Sequence, residues 1–187
     1  MSLKKMRKLK LNELGRISVK QFKESPKTPI IVVLDNVRSL HNVGSIFRTS
    51  DAFRLEAVYL CGITSAPPHK EIHKTALGAE DSVKWQYFNE TTEAIEKLKS
   101  NGYLLLGIEQ VEKSTPLEEF QTDTQQKYAV ILGNEVKGVD QKVIDLCDKC
   151  LEIPQFGTKH SFNVSVSAGI VLWELSKKWV LTSKEPQ

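Results

Sequence analysis

Six short runs in this chain are apolar strand candidates, most of them apolar on consecutive rather than alternate residues: 30–35, 57–61, 83–88, 103–108, 128–132 and a brief 151–153. Helical periodicity appears between and after them, at about 42–54, 91–101, 140–148 and 163–182. A strand that is apolar throughout must be covered on both faces, and intervening helices supply the cover. The pattern therefore predicts an α/β domain with a mostly parallel sheet and helices on both faces. Ser25-Pro26-Lys27-Thr28-Pro29 separates a first segment from this body.

With 187 residues, 40% hydrophobic and 26% charged, the chain suits one well-packed domain. No apolar run approaches the roughly 20 residues that cross a bilayer, so no membrane partner is expected. The basic first residues lack the apolar stretch of a signal peptide, so a cytoplasmic location is expected. The net charge of +3 hides an asymmetry: residues 1–29 hold nine Lys or Arg against Glu13 and Glu24, and the rest is mildly acidic. A basic arm on an acidic body fits nucleic-acid binding, and fits a solvated helix equally well. Cys147 and Cys150 form a C-x-x-C with no second pair, so zinc is not expected and core or surface thiols are. His41, His69, His73 and His160 have no metal-ligand spacing, and no G-x-S-x-G elbow occurs.

Three segments hold residues that a packed core does not need. The first is Asn36-Val37-Arg38-Ser39-Leu40-His41-Asn42-Val43-Gly44-Ser45-Ile46-Phe47-Arg48, after the first apolar run. At about 100° per residue, Val43, Ile46, Phe47, Ser50 and Phe53 share the core side of a helix, with Arg48 opposite. Gly44, Ser45 and Ala52 flank Arg48 and leave room for a ligand or another chain; alternatively, Arg48 pairs with Asp51 at i,i+3 on the surface. The second segment, Leu132-Gly133-Asn134-Glu135-Val136-Lys137-Gly138, follows a buried run, and its glycines let bare backbone approach a ligand. The third runs from Ile153-Pro154-Gln155 through Ser161-Phe162-Asn163-Val164 to Gly169. Helix capping explains one of Ser161 and Asn163, not both. In the helix that follows, Val164, Ala168, Val171, Leu175 and Trp179 form one apolar stripe, and Val166, Ile170, Trp173 and Val180 form another. A helix apolar on two sides is buried on two sides, which points to a homodimer.

In this order and at these separations, the three segments resemble the signature motifs of SpoU-type (TrmH-like) RNA ribose methyltransferases of the SPOUT class. The resemblance spans about residues 30–180, and Thr75-Ala76-Leu77-Gly78-Ala79 looks like the small-residue segment these proteins carry between the first two motifs. It implies a basic arm over 1–29 and a SPOUT domain over 30–187, with a deep trefoil knot within about 128–182. It also implies a homodimer with its site at the subunit interface. Val136, Gln155, Phe162 and Ser167 depart from the usual family residues, whereas Arg48, Glu135, Ser161 and Asn163 are all present.

The reaction implied is transfer of a methyl group from S-adenosyl-L-methionine to a ribose 2′-OH of tRNA or rRNA, without a metal. Leu132, Gly133, Ile153, Gln155, Phe162 and Val164 would hold the cofactor. Arg48 is the family's catalytic residue, and Asn42, Glu135, Ser161 and Asn163 would hold it and the ribose in place. An always-charged guanidinium suits phosphate binding and stabilisation of a developing alkoxide better than proton abstraction. RNA, not DNA, is the expected partner. Base methylation and a catalytically inactive RNA-binding homologue are the alternatives.

Overall fold

The computed structural model describes residues 6–182. Lys4 and Lys5 of the basic segment, and the last five residues of the expected domain, lie outside the described residues. In chain order the elements are α1 (Val19–Glu24), β1 (Thr28–Asp35), α2 (Leu40–Ala52), β2 (Leu55–Cys61), α3 (Lys70–Ala76), α4 (Ala79–Ser82), β3 (Lys84–Phe88) and α5 (Thr91–Ser100). There follow β4 (Tyr103–Ile108), β5 (Thr115–Pro116), β6 (Lys127–Leu132), α6 (Gln141–Ile144), β7 (Lys149–Glu152) and α7 (Val164–Thr182).

The strands form one seven-stranded sheet in the order β3-β2-β1-β6-β4-β7-β5, with every pairing parallel. The chain runs outward from β1 to β3, then crosses to the other side and lays down β4 and β5. The two late strands fill gaps between earlier ones: β6 lies between β1 and β4, and β7 between β4 and β5. Placing late strands inside the sheet is compatible with the knot implied for 128–182.

The alternation of side chains along β1 feeds two cores, as expected of a sheet covered on both faces. Ile30, Val32 and Leu34 pack with α2 and α7 on one face, joined by Val43, Ile46, Phe47, Val171 and Leu175. Ile31 and Val33 face α5 and α6 through Ile95, Leu98 and Val143. Each fully buried aliphatic side chain contributes about 1.5–3 kcal/mol relative to exposure, so these layers dominate the stability. α1 joins the first core through Phe22, so residues 19–24 pack on the body.

Four expectations need correction. The run at 83–88 forms an edge strand whose first four residues are exposed, because aromatic bulk at Trp85 and Tyr87 mimics a buried pattern. The helix expected over 140–148 is a single turn, Gln141–Ile144, since Asp148 turns back to accept from the amide of Leu105 at 2.7 Å. Two short helices, α3 and α4, occupy a region read without helices. Gly44 offers no clearance for a ligand: a Cβ there would lie 2.1 Å from Thr75 Oγ1 and 2.3 Å from the Ile72 carbonyl, so α3 fills that space.

Candidate active site

The carboxyl ends of β4, β6 and β7 open onto a cleft of about 490 Å³. It lies where the strand order reverses, the position at which open parallel sheets bind ligands. The β4–β6 ladder stops at Gly107 and Ile131, and β4–β7 stops at Ile108 and Leu151. Beyond those ends, Leu132 and Gly133 form one wall, Ile153 and Gln155 another, and Phe162 and Val164 a third. All six residues expected to hold a cofactor therefore line one cleft, together with Glu135, Ser161 and Asn163.

The loop after β6 folds tightly on itself. Asn134 and Gly138 exchange backbone hydrogen bonds at 3.0 and 2.9 Å, and the Asn134 side chain accepts from the amides of Val136 and Lys137. A Cβ at Gly133 would lie 2.2 Å from backbone atoms of Gly138 and Val139, so only glycine fits. Gly138 has φ +70, a conformation that glycine adopts without steric cost.

Hydrogen bonds join all three sequence segments. Asn36, in the left-handed region at φ +56, presents its carbonyl to the Asn134 side-chain amide at 2.8 Å. Glu135 accepts from the amides of Arg38 and Ser39 at 3.0 and 2.9 Å and from the Asn42 side chain at 2.9 Å. Asn42 in turn accepts from the Asn163 side chain at 3.1 Å. Asn163 also caps α7, accepting from the Ser165 amide at 2.9 Å. Capping thus accounts for Asn163, and Ser161 lines the cleft as an exposed hydroxyl. Burial pushes the Glu135 carboxyl up, but the amides of Arg38 and Ser39 and the Asn42 amide outweigh it and hold it below the usual carboxylate range.

Arg48 projects from the outer face of α2, about 9 Å along the axis from Asn42, and does not line the cleft. It has no hydrogen bond or ion pair among the described residues. The alternative surface pair with Asp51 does not form among the described residues; Asp51 accepts from Ser82 Oγ at 2.5 Å. Sequence reasoning missed Glu109, whose carboxylate accepts from the Val139 amide at 3.0 Å and lines the cleft. It also missed Gln110, which donates to the His160 carbonyl at 3.1 Å. Neither sits in a motif, and only the approach of β4 to the late strands puts them there. Cys147 and Cys150 pack over Gly107 as free thiols, and burial pushes Cys147 up to about 12, so it is a packing residue rather than a nucleophile. No helix among the described residues is long and apolar enough to cross a membrane, and no metal-binding group of His, Cys, Asp or Glu occurs among them.

Comparison with known proteins agrees with this geometry. The chain is 31% identical over 157 residues to a 23S rRNA (guanosine-2′-O-)-methyltransferase RlmB of Neisseria meningitidis serogroup B, an alignment covering 84% of this chain and 62% of that protein. The TrmH/SpoU tRNA modifying enzyme of A. aeolicus superposes with a TM-score of 0.76 at 25% identity, covering 88% of this chain and 83% of that one. An AdoMet-bound rRNA methyltransferase of Sinorhizobium meliloti shares the fold with a TM-score of 0.76 at 23% identity, over 84% of this chain and 60% of that one. The chain spans about 62–63% of the length of the curated relatives it matches. The family model of the SpoU rRNA Methylase family matches residues 29–173, a span that contains Asn42, Arg48, Glu135 and Asn163, and the chain belongs to that family.

Proposed function

We propose that this protein is an S-adenosyl-L-methionine-dependent methyltransferase that modifies a ribose 2′-OH of tRNA or rRNA, acting in the cytoplasm as a homodimer. One observation carries the reading: Glu135, Asn42 and Asn163 form a continuous hydrogen-bonded chain beside the cleft, joining three segments far apart in sequence.

The cleft fits the cofactor. Its volume lies in the range of small-molecule sites. Backbone beyond the strand ends at Leu132, Gly133 and Ile153 would meet adenine and ribose, and Glu109 and Glu152 place negative charge where a cationic ligand would lie. When bound, the cofactor supplies an electrophilic methyl group on a sulfonium. The chain's own part is positioning, which can remove several kcal/mol of barrier by aligning the attacking oxygen.

Arg48 would bind the phosphate beside the target ribose and stabilise the charge that develops on its 2′ oxygen. Its place on the outer face of α2 puts it beyond the reach of its own cleft lining, which favours a site completed by a second copy. α7 carries the surface for that contact: Val166, Ile170 and Trp173 are 49%, 36% and 46% exposed, at spacings that align on one side. α2 and α7 lie side by side, linked by Asn42–Asn163 at one end and by the rings of Phe53 and Trp173, 5.9 Å apart, at the other. A partner covering α7 would therefore meet α2 and Arg48 as well. In domain terms, residues 30–187 would be the catalytic unit, with its knot within about 128–182. The basic segment 1–29 would add salt-dependent attraction to the RNA backbone.

The test is nucleoside mass spectrometry of total tRNA and rRNA after incubation with protein and isotope-labelled cofactor. The expected product is a 2′-O-methylated nucleoside; a methyl on a base would exclude ribose chemistry, and cofactor binding without transfer would favour a binding protein. Arg48→Ala should bind cofactor normally in calorimetry and lose at least a hundredfold in transfer rate. Near-full activity would remove Arg48 from the mechanism.

A further inference from the structure

The apolar run of β4 ends at Ile108, and the chain then places two polar residues, Glu109 and Gln110, in the lining of the cleft. Neither belongs to the three segments that carry the motifs. Their tier follows from the ladders. Gly107 pairs with Ile131 and Ile108 with Leu151, so Glu109 continues in register with Gly133 on one side and Glu152 on the other. Its own amide donates to the Leu151 carbonyl at 3.2 Å. Glu109 thus stands between the two stretches of backbone, Leu132-Gly133 and Ile153, that would meet adenine and ribose.

The carboxylate is held in place from two sides. Oε2 accepts from the Val139 amide and Oε1 from the Gln110 amide, each at 3.0 Å. A Cβ at Gly138 would collide with Oε2, so the loop after β6 closes on this carboxylate only because residue 138 is glycine. The Gln110 side chain, donating to the His160 carbonyl, ties the same strand end to the segment that carries Phe162 and Val164. A carboxylate has about four lone-pair positions. Two backbone amides occupy two of them, and each oxygen keeps one. Glu109 is half-buried and lines the cleft, which leaves those positions to a ligand. Pinning Val139 requires a single acceptor, which a neutral amide side chain supplies equally well. It leaves the charge and the second oxygen unexplained.

The chemistry selects among the groups a carboxylate could take from the cofactor. The adenine 6-amino group sits beside the N1 acceptor, which would face the second oxygen and repel it. The cationic end can be met by charge elsewhere in the cleft, since Glu152 also lines it. The vicinal ribose hydroxyls offer two adjacent O–H donors to two oxygens. Hydrogen bonds from O–H to a carboxylate are short and about twice as strong as neutral ones. Acidic residues take ribose hydroxyls for this reason in nucleotide sites beyond the ends of parallel strands.

We propose that Glu109 determines specificity in the cofactor site: its carboxylate accepts from the 2′ and 3′ hydroxyls of the cofactor ribose, while its bond to Val139 holds the loop after β6 beside the same ligand. The proposal rests on the reading of the chain as an S-adenosyl-L-methionine-dependent methyltransferase.

The probes are S-adenosylhomocysteine, whose sulfur is uncharged, and its 2′-deoxy and 3′-deoxy counterparts, each titrated onto the full chain by calorimetry. The unmodified protein should bind the parent compound at least tenfold tighter than either deoxy form. Glu109→Ala should bind all three within about twofold of one another. Glu109→Gln, which keeps an acceptor for Val139, should unfold at an unchanged temperature and still lose most of the discrimination. Equal binding of the three probes by the unmodified protein overturns the proposal without relying on any variant. So do variants that weaken all three by the same factor, because a residue that only shapes the loop would leave the ratios intact. A third contrary result is a Glu109→Gln protein that keeps those ratios and instead narrows the gap between S-adenosyl-L-methionine and S-adenosylhomocysteine, which would assign the carboxylate to the cation. Methyl transfer to RNA, measured in parallel, separates this proposal from the reading beneath it. Transfer without ribose discrimination sinks the role of Glu109 alone. Discrimination without transfer supports that role and sinks the methyltransferase reading, and binding of none of the compounds sinks both.

Discussion

Glu135 shows how one side chain can organise a site it does not dominate. Its two oxygens take the amides of Arg38 and Ser39 and the side chain of Asn42, at the point where α2 begins. The donors hold its carboxyl in the charged form against the pull of burial. A carboxylate depressed in this way stabilises the fold above its unfolded value, ~4.3, and the contribution is lost as pH falls through the lower folded value. Glu135→Gln should therefore lower stability by about 1 kcal/mol near pH 7. In urea unfolding, its gap from the unmodified protein should stay constant down to about pH 5 and narrow below about pH 4. A gap independent of pH would mean that shape, not charge, holds α2 in place. That Glu135 was unusual for a turn was legible from the sequence. Its three donors were not, because two are backbone amides nearly a hundred residues away.

At the scale of elements, the loop after β6 depends on a backbone approach that leaves no room for a side chain. Gly133→Ala would force a Cβ to within 2.2 Å of Gly138 and Val139 backbone. The antiparallel bridge between Asn134 and Gly138 would then have to open. We expect a loss of stability of about 1–3 kcal/mol and a fall in cofactor affinity of tenfold or more, read by calorimetry on the folded fraction; unaltered affinity would remove this loop from the binding site. Glycine in this loop was readable as a sign of close approach, whereas the same inference at Gly44 named the wrong neighbour. Both glycines mark tight packing, but composition does not say whether the other surface is a ligand or, as at Gly44, the carbonyl of Ile72 in α3.

For the whole molecule, the exposed stripe of α7 is what sets a lone chain apart from the proposed pair. Val166, Ile170 and Trp173 form an apolar stripe that the described residues leave about half exposed. Ile170→Glu should yield a monomer by analytical ultracentrifugation and reduce methyl transfer at least tenfold. Its melting temperature measured at low protein concentration should change little. A monomeric unmodified protein, or an active monomeric variant, would refute the shared site.

The sequence alone determined the layered α/β class, the parallel sheet and the three segments at its site. Burial on both faces demands apolar runs, and close backbone approach demands glycine, and both leave marks at fixed positions. Tertiary structure decided what those marks touch. It inserted β6 and β7 between earlier strands, made the run at 83–88 an edge, and turned Gly44 toward α3. It also tied Asn42 to Glu135 and Asn163 while leaving Arg48 on the outer face of α2. Periodicity records how buried a residue will be and on which face of its own element. Partners distant in the chain are set by how the elements pack, and no local pattern encodes that.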